Sequence, residues 1–107
     1  MKLGIIIHGR DPETVWNAFR IANFSREVGD GVQVFLIGKG VEAEVADVEE
    51  DFRIREQMVK LLANGGLIYA CGTCLAIRGL QLSPVIRVAT LSDLYEIIRQ
   101  SEKVLSF

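Results

Sequence analysis

Apolar runs of strand length alternate along the whole chain with segments whose apolar residues recur at helical spacing. The strand candidates are residues 2–8, 32–38, 67–70, 85–89 and 103–107. The first of them, KLGIIIH, is almost continuously apolar, as expected for a strand that is covered on both faces. Five strands that alternate with helices predict an α/β fold, a three-layer α/β/α domain with a five-stranded, mainly parallel sheet.

Capping residues predict where the first and last helices begin and end. Asp11 followed by Pro12 is typical of a helix N-terminus, and Gly29 is placed to end that helix. Thr90 and Asp93 have the spacing of a capping box at the start of the last helix. These signals predict helices directly after the first strand and directly before the last.

The connection after the second strand is strongly acidic. Residues 42–51 contain six acids and no base, and a helical pattern resumes at Phe52. We expect this stretch to be a solvated connection with about one helical turn. A metal site built from these acids is the alternative, although nothing in the sequence fixes the directions of their side chains.

Length and charge limit the class of protein. A chain of 107 residues is expected to form one domain, residues 1–107, that folds without disulfides or a structural metal. A net charge of −2 gives no reason to expect nucleic acid as a partner. The apolar runs are far shorter than the ~20 residues that span a bilayer, so we expect no membrane association and a cytoplasmic protein. In that reducing compartment, a CxxC pair is more often catalytic or metal-binding than a disulfide cross-link.

The mean hydropathy of +0.28 is high for so short a chain. A small domain has a large surface relative to its volume, and that surface ordinarily requires polar residues. We therefore predict that part of the apolar surface is buried between copies of this chain.

Chemically reactive side chains follow the predicted strands. In an open parallel sheet, ligands bind beyond the carboxyl ends of the strands, where the loops to the helices meet. The residues predicted at this edge are His8, Arg10, Lys39, Cys71 and Cys74. The sequence therefore predicts that the single histidine, two cations and both cysteines lie together.

Cys71 is the predicted nucleophile of this cluster. It lies where the third strand passes into a short helix over residues 73–78, and Gly72 permits the tight turn between them. Free N–H groups at Thr73 and Cys74 and the nearby cations would favour the thiolate over the thiol. Cys74, one turn later, is expected to face partly into the sheet. The alternative is that both cysteines are small buried side chains without chemistry.

Two familiar uses of a CxxC motif fit poorly. A structural zinc site needs four ligands, whereas the chain offers two cysteines, one histidine and no second CxxC, so we predict no metal. A thioredoxin has a long active-site helix and ends in a β-hairpin and a helix, whereas only about ten residues separate Cys74 from the next strand here and the chain ends helix then strand. The glycines of Gly38-Lys39-Gly40 match no nucleotide fingerprint, so we predict no cofactor.

The chain resembles the DsrE/DsrF-like family of small sulfur-relay proteins, which includes TusD-type subunits. The similarity lies in the opening βα unit, in VFLIGKGVEAE and above all in ACGTCLAIRGL. The family has a cysteine after the third strand and an Arg-Gly pair seven and eight residues beyond it, which correspond here to Cys71, Arg78 and Gly79. Cys74 departs from the relay subunits, which often have a small apolar residue there.

The resemblance implies a persulfide carrier. It implies that Cys71 accepts sulfane sulfur from a donor protein, as a sulfurtransferase does, and passes it to the thiol of an acceptor protein. It also implies assembly into a homotrimer or homohexamer. Two alternatives stay open: a dithiol redox protein that uses Cys71 and Cys74, and a non-catalytic oligomeric scaffold or binding domain.

Overall fold

A computed structural model describes residues 1–107 and contains five strands in one parallel sheet. The strands are β1 (Lys2–Ile7), β2 (Gly31–Leu36), β3 (Leu67–Cys71), β4 (Arg87–Ala89) and β5 (Lys103–Ser106). Their order across the sheet is β4-β3-β2-β1-β5, and every neighbouring pair is parallel. The predicted α/β fold is confirmed.

Five α-helices cover the two faces of this sheet. They are α1 (Pro12–Glu27), α2 (Ala43–Glu50), α3 (Ile54–Ala63), α4 (Gly72–Arg78) and α5 (Leu91–Gln100), and a 3-10 turn, Gly38–Glu42, precedes α2. From β1 to β4 the chain moves steadily in one direction, so right-handed connections place α1 to α4 on one face. The connection from β4 to β5 crosses back, which places α5 alone on the other face.

Glycine at position 4 allows α5 to pack closely against β1. A Cβ at Gly4 would lie 2.7 Å from the Ser101 hydroxyl oxygen and 3.2 Å from the Ile97 side chain. On the opposite face, α1 contacts α3 through the Asn23 amide, which donates to the Gln57 carbonyl at 3.0 Å. The fold therefore has the three predicted layers.

The core lies on the central strands. Alternate residues of β1 and β2 are completely buried on the face that α1 covers: Ile5, Ile7, Val34 and Leu36. Phe35 points to the opposite face and is also completely buried. Burial on both faces explains why these strands appear in the sequence as continuous apolar runs.

The predicted caps occur where expected. The Asp11 carboxylate accepts a hydrogen bond from the Thr14 N–H at 3.0 Å, and Gly29 has a φ of 101° directly after the end of α1. Thr90 and Asp93 form the reciprocal bonds of a capping box at α5. Local sequence is sufficient here because each cap involves residues three positions apart.

The prediction for the acidic stretch is wrong. Residues 43–50 form α2 rather than a solvated connection. The Asp47 carboxylate accepts from the backbone N–H groups of Ile54 and Arg55 at 2.9 and 3.1 Å and so caps α3. Glu44 accepts two hydrogen bonds from Ser83, at 3.0 and 2.6 Å. These carboxylates have partners that are distant in sequence, which a local pattern does not reveal.

Several element boundaries also differ from the prediction by one or two residues, and two of them have a clear cause. Helix α3 begins at Ile54 rather than Phe52, because Asp51 and Arg53 have left-handed φ values of 50° and 59° that interrupt the helix. Strand β4 has three residues rather than five, because the Ile86 N–H donates to the Ser83 carbonyl in a turn at 3.1 Å.

Apolar side chains remain exposed on two helices. They are Leu91, Tyr95 and Ile98 on α5, and Ile21, Phe24 and Val28 on α1. Each set recurs at helical spacing, as in a surface that contacts another chain. Assembly of the protein with itself stays a prediction. None of the helices is long and apolar enough to cross a membrane.

Candidate functional site

The two cysteines lie at the carboxyl edge of the sheet, at the junction of β3 and α4. Cys71 is both the last residue of β3 and the N-cap residue of α4. It lies beside Ala89 of β4 in the strand register. Gly72 follows, and a Cβ there would lie 3.1 Å from the Val88 side chain. The predicted glycine therefore allows α4 to begin close to the neighbouring strand.

Cys71 is buried, and its pKa nevertheless lies below the ordinary value. Cys71 is only 4% exposed. Burial has the largest single influence and raises its pKa, but hydrogen bonds from the Cys74 N–H, the Cys74 side chain and the Thr73 N–H outweigh it, so the pKa lies below its ordinary value. A lowered pKa increases the fraction of thiolate, which is the nucleophile in sulfur chemistry.

Cys74 is the more exposed of the two cysteines. It is half-buried, whereas Cys71 is buried. Its sulfur accepts a hydrogen bond from the Gly38 N–H at 3.2 Å, across from the end of β2. Sequence reasoning noticed the glycines after β2 but assigned them no role, because only the parallel packing of β2 and β3 brings them to the cysteines.

The predicted cations do not contact either sulfur. The Arg10 guanidinium forms ion pairs with Glu42 at 3.3 Å and Glu49 at 2.7 Å. The His8 backbone N–H donates to the Phe107 carbonyl at 2.8 Å, and its side chain is exposed. The positive charge of Lys39 helps to lower the pKa of Glu42. Burial raises the pKa of Cys71, and the groups that lower it are Cys74 and the Thr73 N–H; His8, Arg10 and Lys39 are not among the causes.

Glu42 links two arginines beside the site. Its carboxylate accepts from the Arg78 guanidinium at 2.8 Å and pairs with Arg10 at 3.3 Å. Arg78 also donates to the Cys74 carbonyl at 3.1 Å. This network joins α4 to the 3-10 turn that contains Gly38. The sequence analysis did not single out Glu42, although it is the first acid after the Gly-Lys-Gly segment.

The Glu42 network predicts a dependence of stability on pH. The Arg78 hydrogen bond is the main cause that lowers the pKa of Glu42; burial opposes it, and the charges of Arg10, Arg78 and Lys39 lower it further. The carboxylate thus stabilises the fold above the ordinary glutamate pKa of about 4.3, and this contribution is lost as pH falls through the lower pKa of the folded state.

We expect Glu42→Gln to unfold at lower urea concentration than the wild type at pH 7, and the difference to shrink on acidification. Urea titrations from pH 7 to pH 3 measure this. Glu50→Gln is the control, because Glu50 is an exposed acid of the same segment without an ion pair. Equal pH profiles for Glu42→Gln and the wild type would contradict the assignment.

An open cavity of about 510 Å³ adjoins the start of α4. Its lining residues come from the α4 start, β4 and the α5 start: Gly72, Thr73, Val88, Ala89, Thr90, Leu91 and Asp93. Val88 and Leu91 are 69% and 64% exposed.

No group of three or more histidine, cysteine, aspartate or glutamate side chains is placed to hold a metal ion.

Comparisons with known proteins show the family of this chain. The ychN protein from E. coli, known from its crystal structure, is 25% identical and has a TM-score of 0.80, with 100% of both chains covered. A conserved protein of unknown function from Bacteroides thetaiotaomicron, BT1422, is 25% identical with a TM-score of 0.77, covering 99% of this chain and 94% of its own. No curated protein matches. A family model matches residues 1–107 in full, and the chain therefore belongs to the DsrE/DsrF-like family.

Proposed function

We propose that the protein is a sulfur-relay protein that carries sulfane sulfur as a persulfide on Cys71 and passes it to a thiol of a partner protein. The observation that carries this proposal is the position of Cys71 at the end of β3 and the N-cap of α4, where Gly72 and Thr73 line an open cavity; the lowered pKa of Cys71 agrees with it. Membership of the DsrE/DsrF-like family supports the same function.

The chemistry needs no cofactor. The Cys71 thiolate attacks the outer sulfur of a donor persulfide, forms a new S–S bond and releases the donor thiolate. The N–H groups of Thr73 and Cys74, which lower the pKa of Cys71, would also stabilise the negative charge of the bound persulfide. An acceptor thiolate then takes the outer sulfur, and Cys71 leaves as a thiolate. The protein would act as a sulfurtransferase.

The proposal includes protein partners and assembly. Donor and acceptor are proteins with reactive cysteines, in the cytoplasm. The exposed apolar residues of α5 and α1 support a homotrimer or homohexamer, because each set gives its helix a second apolar side in addition to the one that faces the sheet.

A dithiol redox protein is the second candidate function. The observation that favours it is the placement of two free cysteines three residues apart, at the N-cap and in the first turn of α4. In that case Cys71 and Cys74 would form a disulfide and transfer two electrons. A scaffold role without chemistry would require both thiols to be inert, which the lowered pKa of Cys71 does not favour.

Intact-mass spectrometry after incubation with a low-molecular-weight persulfide tests the proposal. We expect wild-type protein to gain the mass of one sulfur atom and to lose it again on reduction with dithiothreitol. Loss of two hydrogens without a gain of sulfur would favour the redox candidate. An unchanged mass, together with two thiols that do not react with iodoacetamide in the folded protein, would favour the scaffold.

A further inference from the structure

The two cysteines occupy unequal positions at the junction of β3 and α4. The Gly38 N–H donates to the Cys74 sulfur at 3.2 Å, and Cys74 lies three residues after Cys71, in the first turn of α4. Cys71 is 4% exposed, whereas Cys74 is half-buried. Cys71 is therefore the sheltered cysteine, and Cys74 is the one that a protein partner reaches more easily.

We propose that sulfur received on Cys71 moves to Cys74, and that Cys74, held by the Gly38 amide, presents it to the partner. This inference rests on the proposed function. It assigns a role to the second cysteine and adds Gly38 as a positioning residue.

The transfer is balanced without any additional reactant. The Cys74 sulfur attacks the outer sulfur of the Cys71 persulfide anion and forms a new S–S bond, while the bond between the Cys71 sulfur and the outer sulfur breaks. The electron pair of the broken bond stays on Cys71 as a thiolate. The Cys74 proton passes to the transferred sulfur, so the product is a Cys74 persulfide and nothing is oxidised or reduced overall.

The direction of transfer follows from the leaving group. In exchange between sulfurs, a thiol of lower pKa leaves faster and is the more stable product thiolate. Burial raises the pKa of Cys71, but hydrogen bonding by Cys74 and the Thr73 N–H brings it below its ordinary value, which favours Cys71 as the leaving group. Transfer moves the sulfur from the buried cysteine to the half-buried one.

Glycine at position 38 allows its N–H to point at Cys74. Gly38 has a φ of 56°, in the left-handed region that other residues rarely adopt. A Cβ at this position would meet nothing closer than the His8 carbonyl oxygen at 3.9 Å, so alanine fits in space and disturbs only the backbone conformation. Gly38→Ala is therefore a probe of the amide's direction rather than of packing.

A single-turnover experiment tests the inference. Protein is mixed with less than one equivalent of tetrasulfide, quenched with N-ethylmaleimide at successive times and digested with trypsin. Both cysteines lie on one peptide, residues 61–78, so fragmentation between them locates the added sulfur. We expect sulfur to appear first on Cys71 and then on Cys74 in the wild type, and to remain on Cys71 in Cys74→Ser.

Gly38→Ala should slow the second step about tenfold and leave the first unchanged, because one hydrogen bond to a reacting sulfur is lost. Gly29→Ala is the matched control. Gly29 also has a positive φ, 101°, and no atom within 4 Å of an added Cβ, but it lies at the opposite edge of the sheet. We expect both of its rates to equal those of the wild type.

The outcomes separate the inference from the proposed function. Sulfur that stays on Cys71 in the wild type would overturn the inference and leave the proposed function intact. Equal rates in Gly38→Ala and the wild type would remove Gly38 from the mechanism. Sulfur that reaches Cys74 as quickly in Cys71→Ser would overturn the order of transfer, and absence of sulfur from both cysteines would overturn the proposed function itself.

Discussion

Gly40→Ala should destabilise the protein by about 3 kcal/mol, near the upper end of the usual cost of overpacking a well-packed site. A Cβ at Gly40 would lie 2.0 Å from the Ile7 carbonyl oxygen and 2.7 Å from its carbonyl carbon. Both are backbone atoms of β1, a central strand, so they cannot rotate away as a side chain would. The 3-10 turn must therefore move away from the sheet.

That movement breaks specific hydrogen bonds. The Ile37 N–H donates to the same Ile7 carbonyl at 3.0 Å, and the Gly40 N–H donates to the Ile37 carbonyl at 3.0 Å. Gly38 lies between these residues, so displacement of the turn also moves its amide away from Cys74. We therefore expect Gly40→Ala to increase the reaction of Cys74 with iodoacetamide.

Urea denaturation followed by far-ultraviolet circular dichroism measures the loss of stability. Gly9→Ala is the control, because Gly9 follows the same strand but has no atom within 4 Å of an added Cβ and no positive φ. We expect that variant to unfold close to the wild-type midpoint. Similar urea midpoints for Gly40→Ala and Gly9→Ala would contradict the close approach of the 3-10 turn to β1.

Cys71→Ser should abolish sulfur uptake. A serine hydroxyl is not ionised near neutral pH and forms no persulfide, whereas the Cys71 thiolate is favoured by the Thr73 and Cys74 hydrogen bonds. Serine is close to cysteine in size and can accept hydrogen bonds from the same N–H groups, so the variant should fold. The expected result is the loss of nearly all uptake with the secondary structure unchanged.

Intact mass after persulfide treatment measures uptake, and Cys74→Ser is the matched control. That variant keeps Cys71 and the backbone N–H of residue 74, and it should still gain one sulfur. A reducible gain of one sulfur that persists in Cys71→Ser would contradict the assignment of Cys71 as the receiving residue.

The secondary structure was largely predictable because its signals are local. The capping box of Thr90 and Asp93 and the glycine after α1 act between residues a few positions apart. The α2 helix was missed for the opposite reason. Asp47 and Glu44 are stabilised by contacts with α3 and with Ser83, and no pattern within residues 42–51 indicates those partners.

The candidate site was predictable as a place but not as a set of contacts. Parallel strands bring their carboxyl ends to one edge, which is why the cysteines, Arg10 and Lys39 were expected together. Which groups then touch depends on side-chain directions over distances of a few ångströms. Arg10 forms its ion pairs with the acidic segment, and the backbone N–H groups of Cys74 and Thr73 help to lower the pKa of Cys71.

The alternation of strands and helices in this chain is thus enough to establish the layered sheet and the edge at which Cys71 lies, because hydrophobic periodicity and chain direction constrain both. The inequality of the two cysteines belongs to the tertiary structure. Packing of β3 beside β2 brings the Gly38 amide, 36 positions away in sequence, to 3.2 Å from the Cys74 sulfur, and it leaves Cys71 buried beneath. Hydrogen bonds and burial act over ångströms in space, so only the folded chain decides which cysteine is buried and which is the more exposed.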